Sequence, residues 1–181
     1  MSRPLGEHGL RGVDHVGLTV PDLEAGVRFL TNVLGAEELF RHGPYEAGPL
    51  TASHFGRHPA SRVVGITMLR LGRTNIELLE MEAPDQHRRW PGPADWGGHH
   101  VALYVDDLDG AVAALRAAGT DVLGEPMPLP GPESGPRARF VFFRAPWGGF
   151  FELVSYPEGK RYEGETPRRL HDPRSEPPVT G

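Results

Sequence analysis

The sequence predicts an α+β protein built from two tandem modules, each with the element order βαβββ. The stretch Asp-His-Val-Gly-Leu-Thr-Val-Pro-Asp-Leu at residues 14–23 occurs a second time, as His-His-Val-Ala-Leu-Tyr-Val-Asp-Asp-Leu at residues 99–108. Each copy runs into apolar residues at helical spacing, and then into alternating stretches typical of strands. The last predicted strand of each half also contains a Glu-Leu pair, at residues 77–78 and 152–153. The repeated order of periodicities indicates a duplicated module.

The composition limits the classes of function. The chain has 181 residues and a net charge of −5, with its arginines scattered, so we expect no nucleic-acid partner. The chain contains no cysteine, which excludes disulfides, a thiol nucleophile and cysteine-based metal sites. No apolar run approaches the ~20 residues of a membrane-spanning helix. Residues 1–12 also lack the apolar segment of a secretory signal. We therefore expect a cytoplasmic protein that has no membrane partner.

The first module is predicted over residues 13–82. Residues 13–20 form a strand by their β-branched content, and Asp22 can cap the helix that follows. That helix is indicated by an apolar stripe made of Leu23, Val27, Leu30 and Leu34. Gly35 stands where a helix C-terminus favours glycine.

Three further strands complete the first module. Residues 36–41 form the first, and residues 63–71 and 75–81 form a hairpin. Between them, residues 42–62 hold three histidines, glycine and proline without clear periodicity. A connection of this length inside a compact domain is uncommon and is often functional, for example as a lid.

The second module is predicted over residues 99–156 and repeats this plan. Residues 100–105 form a strand, Asp107 is the next helix cap, and the helix ends at Gly119. The remaining predicted segments are a strand at 120–123, a loop at 126–136 and strands at 137–144 and 150–155. Residues 83–98 are the predicted linker between the modules. Residues 157–181, rich in Pro, Arg and Glu, form a C-terminal arm.

A histidine opens the first strand of each module. Alternation places His15 on the same strand face as Gly17, and His100 on the same face as Ala102. The small neighbours leave room beside each imidazole. The other strand face is aliphatic and suits the helix layer, so both histidines are expected to point away from the helices.

A glutamate in the last strand of each module completes the pattern. Glu77 stands between Ile76 and Leu78, and Glu152 follows Phe151. A carboxylate among apolar residues is costly if it is buried without a partner, and a bound cation removes that cost.

Two imidazoles and two carboxylates form a mixed set of nitrogen and oxygen ligands. Such a set suits a six-coordinate divalent ion with open positions, which can accept two oxygens of a substrate. The predicted ligands are His15, Glu77, His100 and Glu152. A carboxylate that leaves the metal can also accept a proton, which makes Glu77 and Glu152 the predicted catalytic residues.

Three other residues are candidates for substrate contact. Tyr104 points to the same side as His100, where it either hydrogen-bonds a substrate or fills space. His54 and His58 lie in the long loop and are either solvated or in contact with substrate. His99 alternates to the opposite face from His100, and Asp14 is interpreted as a strand-end residue without a catalytic role.

The paired His-Val strands with their later Glu-Leu resemble the vicinal oxygen chelate superfamily. This superfamily includes glyoxalase I, methylmalonyl-CoA epimerase, extradiol dioxygenases and the bleomycin and fosfomycin resistance proteins. The resemblance covers about residues 13–156. It implies a glyoxalase-like fold whose modules form a curled mixed sheet around a metal site. His15, Glu77, His100 and Glu152 match its four ligand positions. Residues 75–80 and 98–102 are most similar to the epimerase branch, although that branch commonly has Gln where this chain has Glu77.

The resemblance leaves three functions open. The first is a metal-dependent isomerase, epimerase or lyase, with Ni, Co, Mn, Zn or Mg as a Lewis acid that stabilises an enediolate or enolate. The second is an Fe(II)-dependent extradiol dioxygenase. Four protein ligands favour this function less, because they leave fewer open positions on the iron. The third is a metal-free binding or resistance protein, which usually lacks the four ligands. The expected substrate is a small molecule with two vicinal oxygens. The arm favours a homodimer, and the site forms either within one chain or between chains.

Overall fold

The computed structural model describes residues 5–48 and 50–175, and the chain divides into two compact units between residues 86 and 87. Each unit has the order βαβββ and one four-stranded mixed sheet. The predicted α+β fold of two repeated modules is confirmed.

The first unit pairs its strands in the order β1-β4-β3-β2. Its elements are β1 His15–Val20, α1 Leu23–Asn32, β2 Glu37–His42, β3 Arg62–Leu71 and β4 Thr74–Glu82, with a short helix α2, Thr51–Phe55, before β3. Strand β1 is parallel to β4, and the other two pairings are antiparallel. The parallel pairing sets the site, because it places His15 and Glu77 on neighbouring strands.

The second unit has the equivalent strand order, β5-β8-β7-β6. Its elements are β5 His100–Tyr104, α3 Leu108–Ala117, β6 Asp121–Pro128, β7 Arg139–Arg144 and β8 Phe150–Ser155. Strand β5 is parallel to β8 and so brings His100 and Glu152 together, as in the first unit.

The predicted helix ends are confirmed in both units. Asp22 accepts a hydrogen bond from the N–H of Ala25 at 2.8 Å, and Asp107 accepts one from the N–H of Gly110 at 3.0 Å. Gly35 and Gly119 follow the two helices with φ of 74° and 75°, a left-handed conformation that glycine adopts without strain.

Each helix covers one face of its sheet. In the first unit α1 packs on β3 and β4, and Leu30 of the helix is fully buried, as are Leu69 and Leu78 of the strands. We call the opposite face of each sheet its open face. Because side chains alternate along a strand, Glu77 lies on the open face while Ile76 and Leu78 lie in the core. The predicted separation of functional and aliphatic faces follows from this alternation.

Two sequence predictions of local structure were wrong. Residues 42–62 are not wholly irregular, since α2 lies within them and Tyr45 forms a β-bridge with Val63. Strand β6 is longer than the predicted 120–123, because pairing resumes at Met127 with Phe140 after an irregularity. Pro126 lies in that irregularity, where its missing N–H is tolerated.

The described part of the C-terminal arm packs on the second unit. Arg174 donates a hydrogen bond to the carbonyl of Tyr156 at 2.8 Å, and Lys160 forms an ion pair with Glu133. The Tyr156 side chain joins a cluster with Leu129, Ala138, Val154, Tyr104 and Phe140. The arm therefore covers part of the open face of the second sheet.

Among the residues described, no helix has the length and apolar character that crossing a membrane requires.

Candidate metal centre

The first His–Glu pair lies on β1 and β4. His15 Nε2 is 3.7 Å from Glu77 Oε2, and both side chains are partly exposed. In the strand register, Glu77 lies directly across from Gly17. A Cβ on residue 17 would be 3.5 Å from Glu77 Oε2, an ordinary contact, so a small residue at this position leaves room for the carboxylate.

Asp14 orients the His15 imidazole. Its carboxylate is 2.8 Å from His15 Nδ1, and this hydrogen bond is the main reason that the pKa of His15 is raised. A carboxylate only accepts, so Nδ1 carries the proton of this hydrogen bond, and Nε2 is the ring nitrogen left for a metal. Metal-bound histidines are commonly held in this way by a second carboxylate. The sequence analysis missed this role, although an acidic residue directly before a candidate ligand histidine was a usable indication.

The second His–Glu pair lies on β5 and β8. His100 Nε2 is 3.2 Å from Glu152 Oε2, and the Glu152 side chain is 13% exposed. Ala102 lies directly across from Glu152 in the register, as Gly17 does from Glu77. Burial is the main cause that raises the pKa of Glu152, and the nearby His100 partly opposes it. This carboxylate is therefore a better proton acceptor than an ordinary glutamate.

An aromatic ring contacts His100. The ring of Phe142 meets the imidazole edge-on, with centroids 5.2 Å apart and an interplanar angle of 89°. Phe142 is also the strand partner of Glu152, so one residue contacts or pairs with both members of the second pair.

A cavity of about 160 Å³ opens beside His100. Its lining is mainly apolar and is formed by Pro93, Gly98, His99, His100, Leu123, Phe142 and Phe150. The cavity adjoins the second pair through the His100 imidazole, and part of a small molecule fits in it.

The separations within the pairs fit ligands of one divalent ion. Nitrogen and oxygen ligands at ~2.1 Å from a metal, in octahedral or tetrahedral geometry, lie roughly 3.0–3.4 Å apart. The second pair is at this separation and the first is slightly wider. No group of three or more His, Asp or Glu side chains suited to a metal occurs among residues 5–48 and 50–175. Each pair contains two of the four predicted ligands, and their role in metal binding stays a prediction.

The other three predicted substrate residues contact different side chains or backbone groups. Tyr104 packs against Tyr156 with centroids 4.9 Å apart, and burial raises its pKa. His54 is exposed on α2 and hydrogen-bonds Ser53, while His58 Nδ1 accepts the N–H of Ala60. Contact of these three residues with substrate stays a prediction.

The chain matches the model of the glyoxalase/bleomycin resistance protein/dioxygenase superfamily over residues 14–138. It is 44% identical to a 2-epi-5-epi-valiolone epimerase from Actinomyces sp over 168 residues, covering 91% of this chain and 90% of that protein. It is 30% identical to the mitochondrial methylmalonyl-CoA epimerase of Bos taurus over 119 residues, covering 62% of this chain and 57% of the relative.

A solved structure shares the fold. This is a variant of the fosfomycin resistance protein FosX from Listeria monocytogenes, crystallised with Mn(II) and 1S,2S-dihydroxypropylphosphonic acid. The TM-score is 0.56 at 19% identity, covering 87% of this chain and 99% of that chain. Both named sequence relatives are epimerases, which favours this class among the three predicted functions.

Proposed function

The chain belongs to the glyoxalase/bleomycin resistance protein/dioxygenase superfamily, and from this membership we propose that it is a divalent-metal-dependent epimerase. The observation that carries the proposal is the repeated His–Glu pair, each with its glutamate opposite a glycine or alanine. The similarity to epimerases supports the reaction class.

Four residues would hold the cation: His15 and Glu77 from the first unit, and His100 and Glu152 from the second. When bound, a divalent cation supplies a Lewis acid that stabilises negative charge on a substrate carbonyl oxygen. The two glutamates also provide one carboxylate in each module, as removal and return of a proton require.

Glu152 is the residue that we assign to proton removal. When its carboxylate leaves the cation, it accepts the proton on the carbon beside the carbonyl, and the burial that raises its pKa favours this protonated form. We assign the return of the proton to Glu77, the equivalent carboxylate of the first unit. Inversion results when the proton comes back on the other face of that carbon.

The remaining parts of the site are the two imidazoles, which would bind the cation, and the cavity, which would hold part of the substrate. His15 keeps Nε2 free because Asp14 accepts the Nδ1 proton. The apolar side chains beside His100 exclude water from the substrate, which strengthens electrostatic interactions within the site.

Proton exchange tests the proposal directly. The protein, loaded separately with Ni, Co, Mn, Zn, Mg or Fe(II), is incubated in D₂O with 2-epi-5-epi-valiolone or methylmalonyl-CoA. Deuterium incorporation and the ratio of epimers are followed by NMR. We expect exchange at one carbon with at least one metal, and a loss of at least 100-fold in Glu152→Gln, in line with general-base catalysis.

Glu82→Gln is the matched control, because Glu82 is an exposed glutamate that pairs with Arg62 at the end of β4. Exchange that survives in both Glu152→Gln and Glu77→Gln would refute the assigned roles. Oxygen uptake with a catechol and Fe(II) would support the dioxygenase. Tight binding of a small molecule without metal would support the binding protein.

A further inference from the structure

Arg57 differs from the other arginines that contact the first sheet. Arg41, Arg62 and Arg70 each form an ion pair with a glutamate. The Arg57 guanidinium instead lies over the Phe55 ring, with Cζ 4.7 Å from the centroid. Its Nη1 atom is 3.7 Å from the sulfur of Met81. Within the described ranges it has no carboxylate partner.

The Arg57 side chain is also left with an unused donor. Its Nε atom is buried and has no hydrogen-bond partner among the described residues. A buried N–H without an acceptor destabilises a fold, and so calls for an explanation. Sulfur is a weak acceptor and an aromatic ring offers only its face, so neither contact replaces an oxygen.

A second unused donor lies four residues further on. Ser61 is only 3% exposed, and its Oγ likewise has no hydrogen-bond partner among the described residues. The turn between the two residues is closed by the N–H of Ser61, which donates to the carbonyl of His58 at 2.8 Å. One short turn therefore buries an N–H and an O–H group that both lack an acceptor.

The turn reaches the face of the sheet that carries the first His–Glu pair. Met81 and Glu77 are both on the open face of β4, because four residues separate them along the strand. This spacing corresponds to roughly 13 Å. The Arg57 guanidinium contacts Met81, so it lies on the same side of the sheet as Glu77, further along β4.

We propose that Arg57 and the turn 57–61 bind an oxyanion, a carboxylate or a phosphate, carried by the substrate. A guanidinium binds both groups through paired N–H donors, and the Ser61 hydroxyl can add a further donor. Because Nε and Oγ are covered, their use requires the turn to rearrange around the ligand. The assignment of this anion to the substrate rests on the proposed function. It selects substrates with an anionic group remote from the reacting carbon.

Anion binding tests the inference without turnover. The full-length protein is titrated with inorganic phosphate and, separately, with acetate at constant ionic strength. Binding is measured by calorimetry and by the NMR signal of the Arg57 Nε–H. We expect saturable binding that shifts this signal, at least ten-fold weaker in Arg57→Met and intermediate in Arg57→Lys, which keeps the charge but loses the planar fork. The tighter of the two anions identifies the group.

Arg62→Met is the matched control, since Arg62 lies at the end of the same loop but is paired with Glu82. Its anion affinity is expected to equal that of the wild type. Ser61→Ala is expected to weaken binding less than Arg57→Met. Equal affinity in Arg57→Met and wild type, or no binding of either anion by the folded wild type, would overturn the inference. Circular dichroism checks that each variant is folded.

The inference and the proposed function fail separately. Glu152→Gln leaves the turn 57–61 unchanged, so we expect it to bind phosphate as the wild type does while deuterium exchange is lost. Exchange without anion binding would refute the inference alone. Anion binding without exchange would refute the proposed function and, with it, the assignment of the anion to the substrate, while the anion site at Arg57 would stand.

Discussion

At the scale of single residues, the two histidines are equivalent in the repeat but are held differently. His15 is preceded by Asp14, which accepts its Nδ1 proton, whereas His99, the residue before His100, has its Nδ1 atom 3.0 Å from the carbonyl of Gly97. His100 is instead contacted by the edge of Phe142. The two halves have kept the ligand pattern while changing what surrounds it.

The difference predicts a specific effect of Asp14→Asn. An amide no longer provides a charged acceptor for Nδ1, so His15 loses its preferred tautomer and orientation. Loss of such a partner typically lowers metal affinity by about 10–100-fold. Competition with a chromophoric chelator measures the affinity, and Asp85→Asn, an exposed change between the modules, is the control. Equal affinities in the two variants would show that Asp14 has no part in binding.

In the metal-free protein, we expect the Glu152 carboxylate to lower the stability of the fold at neutral pH, although the proposed reaction requires it. Burial raises the pKa of Glu152, so between the pKa of an unfolded glutamate and this raised value the folded chain binds more protons than the unfolded chain. The free energy of unfolding therefore falls as the pH rises through that window.

Glu152→Gln removes this dependence. We expect the chelator-treated variant to be more stable than the wild type at pH 7, and the difference to shrink below about pH 4, where both states of a glutamate are protonated. Urea unfolding at both pH values measures it. Glu46→Gln, which changes an exposed glutamate, is the comparison, and the same pH dependence in both variants would contradict the assignment.

At the scale of elements, each module brings its histidine and glutamate together by the same strand pairing. A parallel pair of strands, β1 with β4 and β5 with β8, places the His of one strand near the Glu of the other. The helix between the paired strands begins at an aspartate cap and ends before a glycine in both modules.

The caps predict matched losses of stability. Asp22→Ala and Asp107→Ala each remove the acceptor for one N–H in the first turn, which typically costs about 1 kcal/mol. Urea unfolding measures each change. Because the two caps lie in separate units, we expect the double variant to lose the sum of the two changes. A change below a few tenths of a kcal/mol in either single variant would contradict the prediction.

At the scale of the whole molecule, the arm belongs to the second unit as far as residue 175. The alignment with the 2-epi-5-epi-valiolone epimerase covers 91% of the chain. Fewer residues lie outside this alignment than the arm contains, so the alignment includes part of the arm. The superfamily match ends at residue 138, before β7, β8 and the arm. The expected homodimer stays a prediction, and light scattering tests it.

Arg174 predicts how firmly the arm is held. Its partly buried guanidinium bonds the Tyr156 carbonyl and Asp172 and lies 5.0 Å from the Tyr156 ring. Arg174→Met loses charge-assisted hydrogen bonds, and a bond of this kind typically contributes about 1.5–3 kcal/mol to stability. We expect faster proteolysis within residues 157–175 and a lower free energy of unfolding. Arg168→Met, at an exposed position, is the control, and equal proteolysis of the two variants would refute this role.

The sequence by itself determined the repeated modules, the helix caps and the two His–Glu pairs. These features depend on local periodicity and on neighbours a few residues apart, which a single chain displays directly. It missed the full length of β6 and the helix within residues 42–62, since there the local pattern is irregular and pairing with Phe140 or Val63 contributes to the structure.

Only the tertiary structure decided which side chains surround the pairs and which donors lack acceptors. Arg62 and Arg70 of β3 are both paired with glutamates on neighbouring strands, while Arg57 has no carboxylate partner among the described residues. Whether a charge is satisfied depends on residues far apart in the chain that the sheet register brings together. Sequence spacing determines the face on which a residue lies, and packing determines its partners.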